Sequence, residues 1–338
     1  MGKEIQKWAD SQQYKREPIP EDKRRKISAT LINAIPDPLG SIVVLNGIYK
    51  GEVIRSLNDP RVTNEARRQA FDDLLKTVLS GPLESVQFHF LIEGLTRSTT
   101  HQMVRSRFSF FAQESLRFAV PEGNWVEEIP LPPHLASTKG DQALGAERDT
   151  LEYQRNVWDQ AMLHLQEAYA VLVNSGMPAE EARELLPHAM PTRIHWVMDL
   201  RTLFLEAGKR TCTQAQFPWR IIFAEIAKVL RGYESPETVE QYELANGTDG
   251  WQFQLIAEKI RPACYQAGKC VFKAEFDRSC SIRDRVDAFE RAGVPSVDWH
   301  RGYAGTGLFS MDDGTDAEGI PAIQDWEWAA DPSAARLS

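Results

Sequence analysis

The chain has 338 residues, of which 42% are hydrophobic and 26% are charged, a composition typical of a globular protein. Its formal net charge of −9 argues against a general nucleic-acid binder, because binding to a phosphate backbone requires a broad basic surface. No apolar run approaches the roughly 20 residues that span a bilayer, and the first residues lack a hydrophobic signal segment, so we expect a cytoplasmic protein without a membrane partner.

The first half of the chain begins with a polar, charge-rich segment, residues 1–26, which we predict to be an exposed arm outside the core. β-branched residues predict a strand over 27–33, and helical spacing of apolar residues predicts a helix over 64–81 that stops at Gly81. Residues 85–94 then alternate between apolar and polar side chains, which indicates a strand packed on one face.

The second half opens with four prolines between residues 120 and 143, which predict a loop. Apolar residues spaced seven apart predict a long helix from Leu151 to Gly176, and a shorter helix is expected from Pro178. Alternation over 192–201 predicts a further strand, with a charged second face formed by Arg193, His195, Asp199 and Arg201.

An amphipathic helix is predicted from Pro218 to Gly232. Residues 27–235 are interpreted as one large domain, and residues 236–338 as a C-terminal extension whose tail is acidic and contains tryptophans. The chain therefore divides into an arm, one large domain and an extension.

Residues 100–118 gather three arginines among serines and phenylalanines in an otherwise acidic protein. If 97–105 is helical and the chain then extends, Arg105, Arg107 and Ser109 share one side. Arginine forks bind phosphate oxygens in bidentate fashion, so such a cluster is typical of a phosphate site. Pairing of these arginines with surface carboxylates explains the pattern equally well, and the two interpretations stay open on spacing alone.

Three blocks resemble the flavin-dependent thymidylate synthases. The first is Arg105-Ser106-Arg107, seven residues, Ser115 and then Arg117, with Gln102 three residues before the first arginine. The second is the strand sequence in residues 81–94. The third joins Ala-Arg-x-x-Leu-Pro at 182–187, Thr-Arg-x-x-Trp at 192–196, an Asp-x-Arg at 199–201, Arg210 and Ala-Gln at 215–216.

The resemblance implies an α+β fold with an antiparallel or mixed sheet and packed helices, and methylation of dUMP to dTMP. Methylenetetrahydrofolate would be the carbon donor, and FAD, reduced by NADPH, the hydride source. The enzyme would be a homotetramer whose active sites lie between chains. The expected dUMP residues are Gln102, Arg105, Arg183 and Arg210, joined by Gln113, Ser115 and Arg117 from a neighbouring chain. The expected FAD residues are Arg105, Ser106, Arg107, Gln113, Asp199 and Arg201. Arg210 would also be catalytic, since it would stabilise charge on the uracil ring.

The chain departs from the family mainly on the flavin and folate side. Ser106 stands where histidine is usual, Asp199 and Leu205 stand where asparagine is usual, and Phe217-Pro218 replaces Trp-Glu. Two alternatives therefore stay open: flavin-dependent one-carbon transfer to another pyrimidine nucleotide, and a non-enzymatic nucleotide-binding or assembly protein. Without the resemblance, Arg183 and Arg210 would be interpreted as partners of Glu180 and Glu206.

None of the four cysteines follows a proline or precedes a histidine, the setting of a classical thymidylate synthase nucleophile. Catalysis is therefore predicted not to need a thiol. Cys264, Cys270 and Cys280 could hold zinc together with His300, but spacings of six and ten are not those of a zinc knuckle or ribbon. We expect free cysteines and no metal.

Overall fold

The computed structural model describes residues 27–77, 80–121, 123–132, 135, 146–212, 215–232 and 250–263. Within these residues the chain forms four strands and eight α-helices, which confirms the predicted α+β class. None of the helices in these ranges has the length and apolar character needed to cross a membrane. The predicted arm, residues 1–26, lies outside the described residues.

The strands are β1 Ser28–Ala34, β2 Gln87–Thr96, β3 Ser109–Gln113 and β4 Pro191–Asp199. The helices are α1 Pro38–Tyr49, α2 Asn64–Lys76, α3 Arg97–Met103, α4 Ala146–Asn174, α5 Ala179–Ala182, α6 Leu200–Arg210, α7 Phe217–Arg231 and α8 Trp251–Ala257. Short 3₁₀ helices cover Gly81–Ser85, Trp125–Glu128 and Arg183–Leu185.

The sheet has the order β1-β2-β4-β3, and all three strand pairs are antiparallel. Phe90 lies opposite Trp196, which in turn lies opposite Phe111 on β3. Because alternate residues of a strand point to opposite faces, these three side chains share the face that packs on the helices. Strand β4 is thus paired along both edges and carries the centre of the core.

The main core joins the sheet to helices from distant parts of the chain. Its buried side chains include Trp219 and Phe223 of α7 and Phe253 and Ile256 of α8. The backbone N–H of Leu39 also donates to the Gln252 side chain at 2.9 Å. The core therefore includes side chains beyond residue 235, while the domain boundary predicted there stays a prediction.

A second, smaller core forms around α4. Trp125, Val126 and Ile129 pack there against the α4 residues Met162 and Tyr169. The segment 120–143 is therefore not wholly loop, because the 3₁₀ turn Trp125–Glu128 buries apolar side chains that the proline pattern obscures. The Val126 N–H donates to Gln166 of α4 at 3.1 Å.

Several predicted elements are confirmed. Strand β1 matches 27–33, β2 overlaps the alternating segment 85–94 and continues to Thr96, and α4 ends just before Gly176, whose φ of +96° favours glycine. Helix α7 carries Pro218 in its first turn, where the missing N–H costs no helical hydrogen bond, and Gly232 caps its end.

Two predicted boundaries are wrong. Helix α2 ends at Lys76 rather than Gly81, because Thr77 is extended, with φ −111° and ψ 165°. The strand predicted over 192–201 ends at Asp199, whose carboxylate accepts the Thr202 N–H at 2.6 Å and caps α6. Arg201 therefore belongs to a helix and not to the charged face of the strand.

A buried ion pair connects the starts of two helices. Arg67 of α2 and Asp37, the N-cap of α1, are 1% and 4% exposed. Arg67 Nη2 donates to Asp37 Oδ2 at 2.6 Å and Nε donates to Oδ1 at 3.0 Å, a bidentate pair. Gly40 is required beside it, since a Cβ there would lie 2.2 Å from Asp37 Oδ2.

We expect Arg67→Met to lower the free energy of unfolding by about 3–5 kcal/mol, because it leaves the Asp37 carboxylate buried without its counter-charge. The matched control is Lys228→Met, which removes an exposed pair with Glu225 and should cost about 0–1 kcal/mol. Urea denaturation of both variants measures the difference. Equal losses in the two variants would contradict the structural role of the buried pair.

Candidate functional site

The Arg-Ser-Arg segment lies in the connection between α3 and β3. The condition that 97–105 is helical is met only in part, because α3 ends at Met103. The chain turns there, with the Ser106 N–H donating to the Met103 carbonyl at 2.9 Å. The extended stretch expected from Arg105 to Ser109 is also absent from this connection, since Phe108 has a φ of +60°.

Arg105 and Arg107 are exposed, and neither side chain has a hydrogen bond or ion pair with any residue that the structure describes. Within the described residues, the alternative that the arginines pair with surface carboxylates is therefore not met for these two, whereas the third, Arg117, lies 3.7 Å from a carboxylate oxygen of Glu180. Between them, the Ser106 hydroxyl is buried and also lacks a partner among the described residues. Two unpaired guanidinium groups beside a buried hydroxyl can accept an anionic ligand.

Gln102 lies on α3 and contacts α7 and the residue before it. The Trp219 Nε1 donates to Gln102 Oε1 at 3.1 Å, and Gln102 Nε2 donates to Gln216 Oε1 at 2.7 Å. Trp219 is fully buried, whereas Gln216 is exposed. The buried Trp219 N–H therefore orients the oxygen of the Gln102 amide, and the nitrogen of that amide contacts Gln216, which is exposed to solvent.

Arg210 ends α6 next to this group. Its guanidinium carbon lies 4.3 Å from the centre of the Trp219 ring, within the range of a cation–π contact. Its Nε lies 3.5 Å from Oε2 of Glu206, and the other oxygen of that carboxylate, Oε1, accepts a hydrogen bond from Lys209 at 3.1 Å. The pairing of Arg210 with Glu206, which is expected without the resemblance, is confirmed. Arg210 and Gln102 both contact the indole ring of Trp219.

Arg183 lies near a second arginine, Arg97 of α3. Arg183 Nε donates to the Glu180 carbonyl at 3.1 Å, and Arg97 donates to the Glu114 carbonyl at 2.7 Å. Burial lowers the pKa of Arg97 from its ordinary value, the Glu114 carboxylate opposes this shift, and the Arg183 guanidinium adds to the lowering. The two like charges make this corner favourable for an anion.

The residues expected from a neighbouring chain lie at the end of β3 and in the turn after it. Gln113 Nε2 donates to the hydroxyls of Thr100 at 2.9 Å and Thr192 at 3.3 Å. Ser115 Oγ accepts the Arg117 N–H at 3.3 Å, and Arg117 Nε lies 3.7 Å from a carboxylate oxygen of Glu180. Within one chain, β3 and its turn thus adjoin α3 and α5.

The two remaining flavin candidates already have partners. The Asp199 carboxylate caps α6, as described above, and Arg201 forms an ion pair with the exposed Glu84. Leu205, where the family often has asparagine, is exposed on the same helix. The flavin candidates near residue 106 are therefore unpaired within the described residues, whereas those at the start of α6 and Gln113 on β3 already have partners.

Sequence reasoning missed the supporting residues Trp219, Thr100 and Thr192, and it included Gln216 only within the resembling Ala-Gln at 215–216. Trp219 lies on the apolar face of the helix predicted from Pro218 to Gly232, and it is indeed a core residue, but helical spacing does not reveal the partner of its N–H. Cys212, two residues after Arg210, has a buried thiol that forms no disulfide with a described residue. The other cysteines, Cys264, Cys270 and Cys280, lie outside the described residues.

A family model described as thymidylate synthase complementing protein matches residues 30–233, more than half of the chain. The chain belongs to this family. The predicted relationship to the flavin-dependent thymidylate synthases is thereby confirmed, and the chain is an enzyme of that family.

Two relatives of this chain are named flavin-dependent thymidylate synthases. The flavin-dependent thymidylate synthase of Geobacter sulfurreducens is 29% identical over 204 residues, which cover 60% of this chain and 81% of the relative. That of Pyrococcus abyssi is 32% identical over 203 residues, covering 60% and 72%. The crystal structure of a UMP/dUMP methylase from Streptomyces cacaoi bound with 5-Br dUMP is similar with a TM-score of 0.48 and 20% identity, covering 71% of this chain and 99% of that one.

Phe108 stores backbone strain inside the motif. It is 81% exposed, and its φ of +60° is the left-handed conformation that side chains with a Cβ adopt at a cost of roughly 1–2 kcal/mol. Among the described residues other than glycine, it alone has a positive φ. Strain at an exposed aromatic side chain is typical of a residue kept for binding.

We expect Phe108→Gly to be more stable than Phe118→Gly by about 1–2 kcal/mol, because glycine relieves strain only at the first position. Phe118 is the matched control, being 84% exposed and without a positive φ. Thermal and urea unfolding of the two variants measure the difference. If they are equally stable, the backbone at Phe108 is not strained.

Proposed function

We propose that the protein methylates dUMP to dTMP, with methylenetetrahydrofolate as the carbon donor and NADPH as the reductant. The observation that carries the proposal is the pair of unpaired, exposed guanidinium groups of Arg105 and Arg107 in the family's signature segment. Their position next to Gln102 supports a site for an anionic nucleotide.

On this proposal, Gln102, Arg105, Arg183 and Arg210 bind the nucleotide. Arg210 acts on the uracil ring, where it stabilises negative charge that builds up during reaction at C5 and C6. Its anchoring between Glu206 and the Trp219 ring supports this role, because a fixed cation needs little reorganisation when the charge develops. Arg183 supplies positive charge to the phosphate side.

The residues near position 106 fit FAD. Arg105 and Arg107 would bind its phosphates, and the buried Ser106 hydroxyl would donate a hydrogen bond that it lacks within the described residues. Asp199 and Arg201 would have to exchange their present contacts to join them. When bound, FAD supplies the hydride, and the protein's groups hold and orient the two ligands.

A homotetramer with shared active sites is part of the proposal. Phe108, Phe110 and Phe118 are all largely exposed on or beside β3, next to Gln113 and Ser115. Contact with another chain would bury these rings and bring Gln113, Ser115 and Arg117 to a neighbour's site.

Purified protein incubated with dUMP, methylenetetrahydrofolate, FAD and NADPH should yield dTMP, identified by product mass. Arg105→Ala should weaken dUMP binding by about tenfold or more, because a hydrogen bond to a charged group contributes roughly 1.5–3 kcal/mol. Ser106→Ala should lose less dUMP affinity, since it removes only a hydroxyl and keeps the charges of Arg105 and Arg107.

The control for this experiment is Arg61→Ala, an exposed arginine paired with Asp59 away from the motif, which should bind dUMP like the parent. Parental binding by Arg105→Ala would make the motif vestigial and contradict the assignment of Arg105 to the nucleotide site. Turnover of a different pyrimidine nucleotide in place of dUMP would favour the related one-carbon transfer.

Cys212→Ala should keep at least partial turnover, because the proposed chemistry uses no thiolate. The thiol is buried, so a modest loss of stability is expected from the smaller side chain. Turnover is measured on folded variant protein that has been checked for flavin binding. Complete loss of activity in such a sample would contradict a thiol-independent mechanism.

A further inference from the structure

A chain of three polar groups runs from the core to the surface at the proposed nucleotide site. An indole nitrogen can donate a hydrogen bond but not accept one, so Trp219 requires the amide oxygen of Gln102 to face it. Gln102 must then present its nitrogen to Gln216, at the observed 2.7 Å. The side-chain oxygen of Gln216 consequently accepts the hydrogen bond from Gln102, and the Gln216 NH₂ group has no partner among the described residues.

Trp219 is itself rigidly held. Its ring centre lies 6.1 Å from that of Trp196, edge to face, and 6.3 Å from that of Phe223, in a stacked arrangement. All three rings are fully buried, and they come from β4 and α7. A ring fixed on these sides has little freedom to change the direction of its N–H.

The same ring also supports Arg210 from α6. The guanidinium lies over its face at 4.3 Å, while Glu206 contacts the Arg210 Nε at 3.5 Å. One buried side chain thus touches two proposed nucleotide residues that come from different helices, α3 and α6. Gln102 and Arg210 form no hydrogen bond with each other within the described residues, so their relative position depends on Trp219.

We propose that Trp219 is the positioning residue of the nucleotide site and that Gln216 is a further nucleotide-binding residue. The Trp219 ring carries Arg210, and its N–H sets the direction of the Gln102 and Gln216 amides. Gln216 then presents N–H donors, which suit the acceptor oxygens of a pyrimidine nucleotide. This inference rests on the proposed function, because it assigns Gln102 and Arg210 to nucleotide binding.

The test compares two buried tryptophans of the same cluster. Trp219→Phe keeps an aromatic ring under Arg210 but removes the N–H, so dUMP affinity should fall by about tenfold. Trp196→Phe is the matched control, because the Trp196 N–H is buried without a partner among the described residues. It should bind dUMP within about twofold of the parent. FAD affinity and melting temperature, measured in parallel, should be alike in the two variants.

A double-mutant cycle separates positioning from general packing. If Trp219 acts through Gln102, Trp219→Phe should weaken dUMP binding further by less than about twofold in a Gln102→Ala background. Two independent, fully additive losses would overturn the inference. Gln216→Met, at an exposed position where folding is not at risk, should also weaken dUMP binding, and parental affinity in that variant would equally overturn it.

The outcomes distinguish this inference from the proposed function. If the parent binds dUMP and Gln102→Ala weakens it, but Trp219→Phe binds like the parent, the inference falls and the proposed function stands. If the full-length parent does not bind dUMP at all, both fall. A loss in Trp219→Phe and Gln216→Met, with parental behaviour in Trp196→Phe, supports both.

Discussion

The pairing of β4 along both of its edges is the constraint on which the rest of the structure depends. Its buried face is fixed between β2 and β3, so its two ends have defined positions. At one end of β4, the Thr192 hydroxyl accepts a hydrogen bond from Gln113 of β3. At the other end, Asp199 caps the helix that ends in Arg210. A shift of one residue in β4 would turn its buried aromatic face to solvent and move both ends of the site.

The arginines of the site fall into two groups that differ in their surroundings. Arg210, Arg201 and Arg117 each have a carboxylate partner, whereas Arg105 and Arg107 have none among the described residues. Paired arginines are held in place, and unpaired ones keep their hydrogen-bonding capacity for a ligand. An acidic protein can therefore bind an anion at a local cluster of arginines. Because salt screens the charges that lie further away, the nearby arginines outweigh the negative net charge of the whole protein.

The elements with strong periodicity were predictable from sequence because their pattern follows directly from burial on one face. Strand β2, helix α4 and helix α7 are such cases, and Gly176 and Pro218 punctuate the helices in the expected way. The buried turn at Trp125 was not predictable, because its apolar side chains pack on α4, about forty residues later, and carry no local repeat.

The sequence by itself determined the family, the α+β class and the residue types at the proposed site, since signature spacing and alternation are properties of the chain. Tertiary structure alone decided which of those residues are engaged and which are unpaired. It ended α3 before Arg105, turned Asp199 into a cap and placed the Trp219 N–H on Gln102. The Asp199 cap spans only three residues, but the Trp219–Gln102 contact joins elements 117 residues apart. The physical reason is that packing between distant elements makes such contacts, and no local pattern encodes them.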